Sequence, residues 1–256
     1  MKSHVLLPRC VLKQFEDKNN ALYLYYFQSH EIKKEHAKSI NTKIDYYSEL
    51  GERYLSNNVE EEIGNLIRFL KSSDHNFNNS DIDILSSTRT YLYSLISRSS
   101  DFIEEIDSMS AFFAIIDEQT RHDCAVIKGT EAIMDLDLTE KLDIMLLYAQ
   151  KGETFILPSS GWYYDIYNSV LCPIAKKCVI LFYISKNSVA RNNNPHVIKL
   201  EPQIVRKLNV EAIKTSINNG CEFIATDDKD YLIQLVNEYG LPIIVQNSRR
   251  KTEIEL

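Results

Sequence analysis

Apolar positions in the first half of the chain recur at spacings of three and four, whereas those of the last hundred residues fall in short alternating runs. In the opening stretch, SHVLLPRCVLKQF, Pro8 suits the first turn of a helix, where its missing N–H is not needed, and Leu12 and Phe15 share a face. A short docking helix is predicted there. Asn19 and Asn20 make a turn. In ALYLYYF, Leu22, Leu24 and Tyr26 alternate with Tyr23, Tyr25 and Phe27, which predicts a strand covered on both sides. His30 to Asn41 is polar and reads as a turn with an edge segment. Asn57 or Asn58 caps a helix beginning at Val59, with Glu60, Glu61 and Glu62 at its positive end and Ile63, Leu66, Ile67 and Leu70 as its stripe. Ser80 caps a second helix through Leu85, Thr88, Leu92 and Leu95. Ser100 opens a third through Phe102, Ile106, Met109, Phe113 and Ile116, and Leu136 to Tyr148 reads as helical too.

The character changes at Gly152. ETFILP, NSVLCPI and KCVILFYI are β-branched or aromatic runs bounded by Pro, Gly and Lys, which predicts three strands. Gln203 to Asn219 is a helix ended by Gly220, CEFIA a strand, Asp228 to Tyr239 a helix stopped by Gly240, and LPIIV a final strand. The fold class is α+β: a helical group beside a small, largely antiparallel sheet, in one domain spanning 1–256, helix-rich over about 1–150 and strand-rich over about 151–256.

Composition adds bounds. With 256 residues, 44% hydrophobic and 25% charged, the chain can bury a core. The net charge of −7 opposes broad tracking along phosphate backbones and leaves room only for a local nucleic-acid site. Arg249, Arg250 and Lys251 form the one dense basic cluster, which reads as a solvated tail. The longest apolar run, Cys178 to Ile184, is far short of a membrane span, and no signal peptide is recognised, so a cytoplasmic protein without membrane contact is expected. Five scattered cysteines fit reduced thiols.

HVLLPRCVLKQF, ALYLYYF, the Tyr46-Tyr47 pair, VEEEIGNLI, STRTYLYSLISR, TFILPSSGWYYD, LCPIAKKCVILFY and VRKLNVEAIKTSINNGCEFIA occur in this order over nearly the whole chain. The ordered set resembles an uncharacterised, mostly bacterial family, domain-of-unknown-function family four-two-three-eight. Its members open with His-Tyr-x-Pro-x-x-x-Leu-x-x-Phe. Two departures stand out. His4 and Pro8 are one residue further apart than in that pattern, and SSGW, Ser159 to Trp162, replaces an Asp-Asn-Pro segment, with Asp165 as a possible stand-in for the missing carboxylate. The resemblance implies no agreed activity. Its association with mobile elements and defence loci motivates the expectation of an effector or toxin.

His4, just before a helix, is a candidate general acid/base or phosphate-orienting group; the alternative is a cap or an anchor. Glu61 is one of three glutamates pointing about 100° apart, so at most two face one site. Arg89 and Arg98 are nine residues apart on one predicted helix, and Arg89, flanking the apolar stripe, is taken as the inward one, with Glu61 its expected partner. RHDC, with Cys172 and Cys178, offers zinc-ligand types at unsuitable spacings. TDDKD offers carboxylates that equally read as a helix cap. Tyr23, Tyr25, Tyr46, Tyr47, Tyr163 and Tyr164 form either a base-stacking platform or core. No Walker loop, G-x-G-x-x-G or G-x-S-x-G is present.

Two functions follow as expectations. The first is a hydrolase, a nuclease-like effector using His4, Glu61 and Arg89, with no cofactor or metal and with RNA or a nucleotide at a local site. The second is a non-enzymatic sensor or adaptor that binds a protein or small ligand.

Overall fold

The computed structural model describes residues 2–71, 84–99, 101–104, 117–135, 142–150, 152–165, 169–184 and 196–244. It is an α+β arrangement of helices packed beside antiparallel and mixed sheets. Strand β1 (Lys2–His4) pairs antiparallel with β4 (Thr42–Ile44), His4 opposite Thr42. Pro8 leads into α1 (Arg9–Leu12) and a 3₁₀ turn, and Val11, Leu12 and Phe15 are fully buried, so the opening stretch docks as its spacing predicts.

A four-stranded sheet takes strands from both ends of the chain. Its order is β3 (Glu31–Glu35), β2 (Leu22–Tyr26), β11 (Phe223–Thr226), β6 (Leu157–Pro158), all antiparallel. A five-stranded sheet runs β10 (His196–Leu200), β5 (Leu142–Ala149), β9 (Cys178–Ile184), β8 (Val170–Ala175), β7 (Tyr163–Tyr164); only β10 and β5 are parallel.

Four expectations are corrected. The helix expected from Val59 starts ten residues earlier. Ser48 caps α2 (Glu49–Tyr54) through the Leu50 and Gly51 N–H groups, and the chain continues through a π-helical stretch (Leu55–Glu60) into α3 (Glu61–Lys71). The expected helix over Leu136 to Tyr148 is strand β5 from Leu142 on. Its Leu- and Met-rich run fits either period, and pairing with β9 and β10 on its two edges decides for the strand. An unexpected helix, α5 (Glu118–Asp135), carries RHDC; Asp117 caps it by accepting from the Thr120 N–H at 2.9 Å. Its buried face is His122, Ala125, Val126, Gly129 and Thr130, a helical period hidden because the residues are small or polar. In LPIIV the described residues, 241–244, form only a bridge, Ile244 to Glu31. The Ser80 cap, most of the third predicted helix and the basic tail lie outside the described residues.

Helix α4 (Ile84–Ser97) is the central post: every residue from Thr90 to Ser97 except Ile96 is buried. It packs against α3 and α5. Behind the sheets lie α6 (Pro202–Asn218), closed by Gly220 at φ +64°, and α7 (Lys229–Glu238). Asp228 caps α7 by accepting from Asp230 and Tyr231 N–H, which assigns TDDKD its capping role. Among the described residues no helix is long and apolar enough to cross a membrane.

Candidate functional site

Helix α4 ends one residue before Arg98, which therefore sits in the turn that follows. Counting from Thr88 through Tyr91 and Leu95 in steps of three and four reaches Arg98, so its side chain continues the buried face of α4 rather than leaving it. It is 2% exposed. Nη1 donates to the carbonyl of Leu6 at 3.2 Å. Nε and Nη2 are buried and have no hydrogen-bond partner among the described residues. A guanidinium presents five N–H donors, so most of this one's capacity is unmet among the described residues, in a buried position.

The charges around it are sparse. Burial raises the Glu60 carboxyl above its ordinary range; Arg98 and Arg9 pull it down and Glu52 pushes it up. Burial drives the Cys10 thiol up to about 12 despite the pull of Arg98, so Cys10 is no nucleophile at neutral pH. Tyr47, also within reach of that charge, is raised by burial and donates to the Val5 carbonyl at 3.0 Å.

Arg98 lines a groove of about 950 Å³. One wall is the N-terminal segment and its partner strand: Val5, Leu6, Thr42 and Lys43. The other is the SSGW turn with Tyr164 of β7, and the last turn of α6 with the entry to β11 lies beside that turn. The turn is held firmly. Ser159 Oγ accepts from the Glu222 N–H at 2.9 Å, and Ser160 Oγ donates to the Trp162 carbonyl at 2.6 Å. Gly161 has φ +80°, and a Cβ on it would meet Leu95 at 2.7 Å and Leu7 at 2.9 Å. Leu95 lies one turn before Arg98 and Leu7 follows Leu6, so this contact fixes the turn beside the guanidinium. Further back, buried Asn209 on α6 clamps the approach to the turn. Its Oδ1 accepts from the Ile156 N–H at 3.1 Å and its Nδ2 donates to the Thr154 carbonyl at 2.8 Å.

Beyond Gly161 the chain extends, and alternation sorts three aromatics. Tyr163 is fully buried, whereas Trp162 is half-buried and Tyr164 is 39% exposed, both lining the groove. Their rings meet edge to face at 5.1 Å. The other groove tyrosines are occupied. Tyr46 stacks on His122 at 3.8 Å with Lys43 4.9 Å from its centroid, and Tyr26 donates to Glu35 and packs on Phe223. Of the expected aromatic platform, Tyr25, Tyr47 and Tyr163 are core, and Tyr23 and Tyr46 lie beside lysines; Tyr164 alone is exposed.

The three expected site residues do not converge. His4 is half-buried and shares a ribbon face with its cross-strand neighbour Thr42, a groove residue. Glu61 is exposed at the head of α3 and Arg89 half-buried on α4; among the described residues no ion pair joins them. Arg98, not Arg89, is the inward arginine. Its signal is the step of three from Leu95, outweighed in the sequence by the place of Arg89 on the flank of the apolar stripe.

RHDC is structural. His122 contacts the Tyr46 carbonyl at 3.0 Å, and Asp123 accepts from both the N–H and the hydroxyl of Ser48, tying the head of α2 to α5. Cys124 is exposed while Cys172 and Cys178 are buried in the five-stranded sheet, and no cluster of three metal-ligating side chains occurs among the described residues. Asp165 accepts from the Ser169 N–H at 2.8 Å, closing its own turn. Comparison with family models, with curated proteins and with solved structures gives no match.

Proposed function

We propose that the protein is a cytoplasmic sensor or adaptor that binds a small anionic ligand, with Arg98 as the anion's anchor. The observation that carries this is the buried guanidinium with Nε and Nη2 unmet at the wall of a groove. Leaving such donors unsatisfied is unfavourable by about 1–3 kcal/mol or more, and an anion would relieve it. The proposal extends to kinship with the resembled family. All but two of the segments carrying that resemblance contribute residues to this groove, from Val5 and Leu6 through Tyr26, Tyr46 and Arg98 to the SSGW turn and the end of α6.

The second reading is a hydrolase, a nuclease-like effector in which His4 serves as acid/base. What favours it is the register of His4 opposite Thr42, a residue that lines the groove. Glu61 lends it no support, being exposed on another element.

Thermal unfolding in inorganic phosphate against chloride at equal ionic strength tests the first reading. Stabilisation of the parent that disappears in Arg98→Met is expected; equal shifts in both proteins contradict it. Incubation with RNA, DNA and nucleotides tests the second, which requires cleavage by the parent and its loss in a folded His4→Ala variant.

A further inference from the structure

Resting on the reading that Arg98 anchors an anion, we propose that the ligand is a nucleoside monophosphate, its single phosphate on Arg98 and its base on the Trp162–Tyr164 wall. Three features of the groove select this class.

The first is the proximity of unlike surfaces. The contact of Gly161 with Leu95 and Leu7 places the SSGW turn against the residues that flank Arg98 and its Leu6 acceptor. Trp162 follows Gly161 directly. A ligand seated on Nε and Nη2 is therefore adjacent to the aromatic wall, so it needs an anionic end and a planar end separated by a short spacer. A fatty chain gives an aromatic wall no planar stacking partner; a nucleobase does.

The second is the charge count. The groove is lined by two cations, Arg98 and Lys43, and by three carboxylates, Glu35, Asp101 and Glu222. Lys43 lies over Tyr46 and Glu35 accepts from Tyr26. One guanidinium edge, its Nε–H and Nη2–H unmet among the described residues, matches one phosphate, and the surrounding carboxylates repel a second or third. The groove thus disfavours polyphosphates and an extended RNA backbone, in keeping with the chain's net charge of −7.

The third is the polar end of α6. There α6 finishes at Asn218, with Asn219 and Gly220 beyond it, all lining the groove. Two exposed carboxamides accept from and donate to the edge of a base, which a bare phosphate ester would not use.

The chain has a single tryptophan, Trp162, so its fluorescence reports this groove alone. The experiment titrates the full chain with the four common ribonucleoside 5′-monophosphates, with ATP and with the free nucleosides. Inorganic phosphate is run beside them by calorimetry. Expected is saturable quenching by at least one monophosphate, at least about fivefold tighter than inorganic phosphate and displaced by it. Arg98→Met should weaken that binding about tenfold or more. Trp162→Leu, followed by calorimetry, should weaken the monophosphate while sparing inorganic phosphate. Inorganic phosphate that binds through Arg98 with no monophosphate tighter than it overturns the nucleotide assignment and leaves the anion site standing. ATP tighter than every monophosphate overturns the single-phosphate assignment. No binding of phosphate or any nucleotide overturns both.

Discussion

Arg98 Nη1 donates to the carbonyl of Leu6 at 3.2 Å, joining the turn after the central helix to a segment ninety-two residues earlier. Among the described residues this is the one hydrogen bond of a guanidinium that is 2% exposed. A structural arginine would have its donors met; here Nε and Nη2 are buried without a hydrogen-bond partner among the described residues, in a residue that lines a groove. Arg98→Met replaces it with an apolar side chain of similar length. The ligand-free variant should lie within about 1–2 kcal/mol of the parent in urea unfolding, reflecting the lost Leu6 bond against the removed unmet donors. A loss of about 3–5 kcal/mol would identify Arg98 as part of the scaffold instead.

Glu60 gives a pH signature. Burial raises its carboxyl above the ordinary value, with the pull of Arg98 only partly offsetting this. The folded protein therefore holds that proton more tightly than the unfolded chain does. The resulting stability is complete below the unfolded carboxyl value of about 4.3 and is lost as pH rises through the folded value. Glu60→Gln should be more stable than the parent at neutral pH, with the gap closing as pH falls toward about 4. Urea midpoints across that range check it, and a gap that widened on acidification would contradict it. The same variant should bind phosphate more tightly at neutral pH, because a competing negative charge near Arg98 is gone.

Gly161→Ala tests the wall. The positive φ and the close approach of Leu7 and Leu95 leave no room for a Cβ. A destabilisation of about 1–3 kcal/mol is expected, together with a shift in Trp162 emission as the turn moves. Unchanged emission and stability would show that the turn is not seated as described.

Asn209 tests the clamp behind that wall. Replacing it by Leu leaves the Ile156 N–H without its side-chain partner and the Thr154 carbonyl with the Tyr231 hydroxyl alone, at a cost of about 1–3 kcal/mol. Phosphate binding should weaken as well, although Asn209 does not line the groove.

Much of the scaffold was legible from spacing. The docking of Pro8 to Phe15, the double-faced strand of Leu22 to Tyr26, the glycine stop after α6 and the Asp228 cap all follow from local chemistry that no distant contact overrides. Strand β5 was not legible, because LDIMLLYA satisfies both periods and only its two neighbours select one. Helix α5 hid because its inward residues, His122, Gly129 and Thr130 among them, are not apolar. For the site, the segments were visible but their meeting was not. Arg98, the SSGW turn and the end of α6 are brought together by the packing of Gly161 on Leu7 and Leu95, a contact no local pattern encodes.

The most direct measurement is calorimetric titration of inorganic phosphate into the parent and into Arg98→Met at one ionic strength. The account predicts a single saturable site in the parent and none in the variant. No saturable heat in the parent, or the same affinity in both proteins, would contradict it.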